Sequence, residues 1–167
     1  MAGEYSEIAE GIENFKLAMR KLAGAVTVVA TSGHGITATA VCSVSAEPPS
    51  LLVCANRENQ FSQMVQQNRF FSVNVLQNEQ IELSNVFAGF TDVAYAQRFE
   101  SGDWQISANG CPYEQNALVC FECELDKVFS YGTHDILIGK VIATRIGQGR
   151  PLLYYQRDYV GLAETSV

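Results

Sequence analysis

Three side chains, Arg57, His134 and Arg157, stand at turns where a ligand can reach them, and each suggests a task. Arg57 lies in the polar run Asn56-Arg57-Glu58-Asn59, between an apolar segment and the expected start of a helix. An arginine beside the free N–H groups of a helix N-terminus receives phosphate. A solvated loop arginine explains the residue equally well, and Glu58 beside it weakens the receptor. His134 follows the turn Tyr131-Gly132-Thr133 and opens an apolar strand. At such a rim an imidazole can hydrogen-bond a carboxamide or give up a proton near neutral pH, or simply hold the turn. His34, in a tight hairpin between two glycines, is expected to be exposed.

The run 149–159 mixes Tyr154, Tyr155 and Tyr159 with Arg150 and Arg157. Rings to stack on and cations for phosphate suit a dinucleotide; an amphipathic edge strand with dimer contacts is the plain alternative. The run 35–49, GITATAVCSVSAEPP, reads as one strand ended by prolines. Side chains alternate along a strand, so Thr37, Thr39, Val41 and Ser43 would share one face and Ala38, Ala40 and Cys42 the other. So small a surface leaves room for a flat ring, whose heteroatoms could use backbone N–H groups and threonine hydroxyls. Ordinary β-propensity gives the same composition.

Several chemistries find no support. The chain has no GxxxxGK[ST] loop, no GxGxxG between strand and helix and no GxSxG elbow. With two histidines, a zinc site would need unusual ligands, and no metal is expected. Cys120-Phe121-Glu122-Cys123 is formally CxxC. Inside a strand, however, residues three apart point to opposite faces, so two packed thiols are the expectation.

The 167 residues carry a net charge of −7 and are 47% hydrophobic. That size fits one domain over 1–167, with a loose start at 1–11, and the composition is ample for a core. The acidic balance argues against nucleic acid or an anionic membrane surface as partner, and no apolar run nears the roughly 20 residues that span a bilayer. Five cysteines, an odd number, with no leader ahead of them, point to reduced thiols in a cytoplasmic protein.

The elements that must position these residues follow from periodicity. Ile12, Phe15, Met19 and Leu22 recur at helical spacing, with Lys16, Arg20 and Lys21 opposite them. Residues 25–32 read as a strand. Residues 50–55, SLLVCA, suit a strand buried on both faces. Short helices are expected at 60–67 and 80–87, with a strand at 70–76 between them. Residues 88–113 read as a long irregular loop with one turn of helix. Strands follow at 117–130, 134–145 and 152–155. Six or seven strands, three short helices and no βαβ alternation favour a closed or partly closed antiparallel barrel.

In this order the segments FKLAMRKLAGAVTVVAT, GITATAVCSVSAEPPSLLVCANR, FSVNVL, LSNVFAG, RF, GTHDILIGKV and RPLLYYQRDY resemble the flavin reductase family. These are the NAD(P)H:flavin oxidoreductases of two-component monooxygenases, and the likeness is greatest to the reductases of 4-hydroxyphenylacetate and pyrimidine oxygenation. The resemblance implies a mainly β fold, a split β-barrel of the FMN-binding, Greek-key type with a few short helices, working as a cytoplasmic homodimer. It implies FMN or FAD as flavin and NADH or NADPH as hydride donor, with reduced flavin passing to a partner monooxygenase. Thr37, Ala38, Thr39 and Ala40 would line the isoalloxazine. Cys54, Ala55, Asn56 and Arg57 would take the ribityl chain and phosphate, with Phe87, Ala88 and Gly89 nearby. His134, as the catalytic candidate, and Tyr155, Arg157 and Tyr159 would meet the nicotinamide nucleotide. Asn59 stands where many relatives carry Ser or Thr, and Thr39 replaces the Asn of other branches.

Hydride transfer between two cofactors needs no protein nucleophile, which agrees with the lack of a hydrolytic constellation. The protein's task would be to hold two rings roughly 3–3.5 Å apart and keep water away. A flavin or haem carrier without turnover, and a pyridoxamine-phosphate-oxidase-like enzyme, remain open as alternatives on the same barrel.

Overall fold

The structure is a computed structural model that describes residues 11–163; of the loose start expected over 1–11, all but Gly11 lies outside the described residues. The elements in chain order are α1 (Ile12–Met19), β1 (Gly24–Ala25), β2 (Thr27–Thr31), β3 (His34–Ala38), β4 (Val41–Ala46), β5 (Pro49–Asn56), α2 (Phe61–Asn68), β6 (Phe70–Val75), α3 (Ile81–Ala88), β7 (Trp104–Ile106), β8 (Pro112–Glu114), β9 (Val119–Tyr131), β10 (His134–Ile146), β11 (Leu153–Tyr155) and β12 (Asp158–Val160). Short 3-10 turns cover Arg57–Asn59, Asn78–Gln80 and Tyr95–Glu100.

The main sheet has seven strands in the order β3-β2-β6-β9-β10-β5-β4. Its two edge strands are consecutive in the chain, joined only through Thr39 and Ala40. A chain can step from one edge to the other in two residues only if the sheet curls on itself. No ladder joins β3 to β4, so the barrel is split there. The 35–49 run is therefore two strands on opposite edges. The turn is closed by the Val41 N–H donating to the Thr39 carbonyl at 3.0 Å, while Cys54 N–H takes the Ala40 carbonyl at 3.0 Å. This break cancels the expected sharing of one face by Thr37, Thr39, Val41 and Ser43.

The 25–32 strand is likewise interrupted at Val26, which bonds Leu152 and Leu76 rather than a ladder partner. β1 pairs with β11 in a second sheet, β1-β11-β12. The last strand, β12, is an addition to the expected set. In β5 only Leu51, Val53 and Ala55 are buried, so one face rather than two is covered. The 88–113 segment holds the β7–β8 hairpin as well as its helical turn.

Every residue of β2 is buried because both faces are covered. Inside the barrel Val29 packs with Val53, Phe71, Leu137 and the α2 residues Phe61 and Val65. On the other face Val28 and Val26 pack with Leu83, Val86 and Phe87 of α3 and with Leu152. Gly35 permits the second contact: a Cβ there would lie 2.6 Å from the Phe87 ring. α1 buries none of its residues. Its Phe15 is 65% exposed, so the apolar stripe read from the sequence is present but uncovered.

Candidate active site

Beneath the split in the barrel lies a cleft of about 190 Å³, walled by Thr37, Ala38 and Thr39, by Ser84 and Ala88 of α3, by Phe90, and by Tyr154 and Tyr159 of the β11–β12 hairpin. The ladder pairs Tyr154 with Tyr159, which sets their rings edge to face at 5.4 Å. The Tyr159 hydroxyl lies 2.9 Å from Ser84 Oγ and donates to Asn85 Oδ1 at 2.8 Å. Thr37 Oγ1 donates to the Ser84 carbonyl at 2.7 Å. The hairpin, α3 and β3 are thus tied by side-chain hydrogen bonds around the cleft. The Thr37 hydroxyl proton is committed, so only its lone pair is left for a ligand, whereas the Thr39 hydroxyl bonds no described residue. Methyl-sized side chains at Ala38 and Ala88 between aromatic walls fit a flat ring. β3, an edge strand, also turns one row of backbone donors and acceptors away from β2.

A second set of residues continues from this cleft along β5. Ala40 holds Cys54, and Asn56 lies opposite His134 in the β5–β10 ladder. Arg57 N–H donates to the Thr133 carbonyl at 3.0 Å. Asn56 and Asn59 spend their side-chain oxygens on the Glu58 and Phe61 N–H groups, at 3.0 and 3.1 Å. The free helix-start donors expected beside Arg57 are therefore partly satisfied from within. Arg57 is instead positioned by Asp135, whose carboxylate is 3.7 Å from Nε, and by the Gly132 carbonyl, 3.4 Å from Nη1. Burial alone would raise the Asp135 pKa. Hydrogen bonds from Ser130 and Ser62, each 2.6 Å, together with Arg57, outweigh it and hold the carboxyl below its usual range. His134 is exposed, with Nδ1 2.8 Å from Thr133 Oγ1.

Of the residues expected from sequence, Thr37, Ala38, Thr39, Ala88 and Tyr159 line the cleft, and Ala40, Cys54, Asn56, Arg57 and His134 form the β5 strip; Ala55 does not join them, because alternation along β5 buries it in the barrel core with Val53 and Phe61. Phe87 points into the core against Phe99 and Trp104, each 5.2 Å away. Gly89 ends α3 at φ 76°, where its Cβ would approach Arg98. Tyr154 rather than Tyr155 faces the cleft, because alternation on β11 sends the neighbours to opposite sides. Arg157 borders an adjoining groove. Sequence reasoning missed Ser84 and Asp135, although they lie inside the quoted motifs LSNVFAG and GTHDILIGKV, and within RPLLYYQRDY it chose Tyr155 over Tyr154 as the ligand contact.

His34 is the reverse of its expectation. It is buried, with Nδ1 2.8 Å from the Tyr95 hydroxyl. Burial lowers its pKa; a backbone hydrogen bond at Asn59 opposes the shift and Arg98 adds to it. The cysteines are free thiols. Cys120 and Cys123 are both buried, and burial raises their pKa values, that of Cys120 to about 11. Among the described residues no cluster could hold a metal ion, and no helix is long and apolar enough to cross a membrane.

Residues 19–163 match the family model described as flavin reductase like domain. The chain is 41% identical over 158 residues to the protein named FMN reductase (NADH) RutF of Stutzerimonas stutzeri, covering 92% of this chain and 90% of that one. It is 39% identical over 158 residues to the reductase component of an FADH(2)-dependent resorcinol hydroxylase from a Rhizobium species, covering 90% and 87%. The solved flavin reductase PheA2 superimposes with a TM-score of 0.85 at 30% identity, over 93% of this chain and 100% of that one.

Proposed function

The chain belongs to the flavin reductase family, and from that premise we propose that it carries hydride from NADH or NADPH to FMN or FAD and supplies the reduced flavin to a partner monooxygenase. The observation that carries this reading is the cleft at the end of β3, where Ala38 and Ala88 leave a narrow space beside Tyr154 and Tyr159, in a chain so similar to an NADH-dependent FMN reductase.

A bound flavin supplies the redox chemistry itself, accepting hydride from a nicotinamide. The chain's residues bind, orient and shield. Ala38 and Ala88 keep the slot narrow, Tyr154 and Tyr159 close one wall, and Thr39 offers a hydroxyl bonded to no described residue. Arg57, steadied by Asp135, presents a half-exposed cation to the flavin phosphate. His134, two strands from the barrel split and beside Asn56, is placed to contact the nicotinamide or to pass a proton. Asn59 serves as a cap for α2, so the phosphate contact rests on Arg57.

The uncovered stripe of α1, with Ile12, Phe15, Met19 and Leu22 all exposed, supports a homodimer that covers it, since isolated soluble chains rarely expose contiguous apolar surface. Free cysteines support a reducing, cytoplasmic setting.

Consumption of NADH by the purified protein, dependent on added FMN or FAD, tests the assignment. Flavin binding without any loss of NADH would reject it in favour of a flavin carrier.

A further inference from the structure

The segment between α3 and β7 supplies two side chains that reach the elements walling the ring cleft and take no part in the proposed reaction. Tyr95 and Arg98 stand three residues apart in the 3-10 turn Tyr95–Glu100. Side chains at that spacing in such a turn lie one above the other, and the Arg98 guanidinium sits 4.0 Å over the Tyr95 ring.

Tyr95 grips the start of β3. Its hydroxyl donates to the Gly35 carbonyl at 3.1 Å and lies 2.8 Å from His34 Nδ1, with the two rings 4.4 Å apart. Further along, the same strand brings Thr37 and Ala38 into the cleft. Arg98 grips the end of α3. Its Nη1 donates to the Phe87 carbonyl at 3.4 Å, and a Cβ at Gly89 would stand 3.2 Å from Nη2. Ala88, the cleft wall on that side, lies between these two residues.

The last carbonyls of a helix lack partners within it and carry partial negative charge, so a cation is favoured beside them. Arg98 forms no ion pair with any described residue, and its Nε is buried with no hydrogen-bond partner among them. An unmade bond at a buried donor costs free energy, which the Tyr95 ring and the Phe87 carbonyl offset. A second tie, from Thr37 Oγ1 to the Ser84 carbonyl at 2.7 Å, joins β3 and α3 directly. Ser84 and Ala88 are one helical turn apart, so this tie alone would let the end of α3 swing about Ser84. Two ties fix the gap between Ala38 and Ala88.

We propose that Tyr95 and Arg98 are positioning residues of the reaction: they bracket the end of α3 to the start of β3 and so set the width of the slot in which the flavin ring lies. The proposal rests on the flavin reductase reading, which puts that ring in the cleft. It assigns the bracket to the ring end of the site, apart from Arg57 at the phosphate end, and gives the 3-10 turn of the long 88–113 segment a task in binding.

Riboflavin, which has the ring and ribityl chain but no phosphate, separates the two ends when it is titrated beside FMN and flavin fluorescence is followed. Arg98→Ala is expected to weaken both flavins alike by about tenfold and Tyr95→Phe by about threefold, the size of one or two lost hydrogen bonds. Arg98→Lys keeps a cation over the ring and is expected to stay within about twofold of the unaltered protein. Arg57→Ala, by contrast, is expected to weaken FMN and leave riboflavin unmoved. Unchanged affinity for both flavins in Arg98→Ala and Tyr95→Phe overturns the proposal, and so does a loss confined to FMN. A lowered melting temperature with both affinities intact also overturns it, since the bracket would then serve the fold alone. If Arg98→Ala fails to fold, Tyr95→Phe, which keeps the ring beneath Arg98 and loses only a hydroxyl, decides by the same comparison. Flavin binding without NADH oxidation in the unaltered protein is the separate failure of the reductase reading.

Discussion

Two buried carboxylates in this fold are built alike and placed differently. Asp135 accepts hydrogen bonds from Ser62 and Ser130 and lies 3.7 Å from Arg57. Glu122 accepts from Ser107 and Asn109 and lies 3.5 Å from Arg145. In both, burial pushes the pKa up, and the hydrogen bonds and arginine more than reverse it. The arginines differ. Arg145 lies 3.9 Å over the Tyr113 ring, with its side chain 40% exposed, so it bolts the β7–β8 hairpin to the sheet. Arg57 lies over no ring among the described residues, is 55% exposed, and has its guanidinium held by Asp135 and by the Gly132 carbonyl of the turn that precedes His134. One pair closes structure; the other holds a charge ready.

The largest expected effects come from removing the two arginines separately. Arg57→Ala is expected to raise the KM for flavin about tenfold, or ~1.4 kcal/mol, with little change in thermal stability, since its side chain is 55% exposed and Ser62 and Ser130 still bond Asp135. Arg145→Ala is expected to leave that KM within about twofold and to lower stability by about 1–2 kcal/mol. That is less than the roughly 3–5 kcal/mol for breaking a fully buried pair, because the Arg145 side chain is 40% exposed. Denaturant titration and flavin kinetics on both proteins decide it; swapped outcomes would reverse the two roles. A smaller effect is expected for Asp135→Asn, which keeps a group for Ser62 and Ser130 to bond but loses the charge that steadies Arg57. The KM for flavin should rise about threefold, and an unchanged value would show that Arg57 holds its position unaided.

The parts of this site that were legible in the sequence are those fixed by local geometry. The Tyr131-Gly132-Thr133 turn puts His134 at a rim, and the order apolar strand, polar loop, helix places Arg57. Strand β6 and helices α2 and α3 fall within a residue or so of their expected bounds, since their patterns are continuous. What escaped depends on partners distant in sequence or on runs too short to carry a phase. Thr39 and Ala40 give no propensity signal for the break, which closure of the sheet imposes. Three residues of β11 cannot say whether Tyr154 or Tyr155 faces inward. His34, flanked by glycines, looks exposed until Tyr95, 61 residues later, folds over it. The same is true of Asp135, whose hydroxyl partner Ser62 is 73 residues away.

His34 also bears on the acid behaviour of the two carboxylates. Both have native pKa values below their ordinary 3.8 and 4.5, so their stabilisation is present above those values and is lost as pH falls through the lower native ones. His34 acts earlier. Its native pKa lies below 6.5, so above 6.5 it is neutral in both states and costs nothing. As pH falls below 6.5 the unfolded chain takes up a proton that the buried ring refuses, and stability declines until the native pKa is reached. The acid unfolding profile should therefore fall in two windows, a shallow one starting near pH 6.5 and a steeper one below about pH 4.5. His34→Gln is expected to flatten only the first, and Asp135→Asn only the second. Melting temperatures from pH 8 to pH 3 measure both. A first window that survives in His34→Gln would mean that another group titrates there, and the acid limb could then not be divided between Asp135 and Glu122.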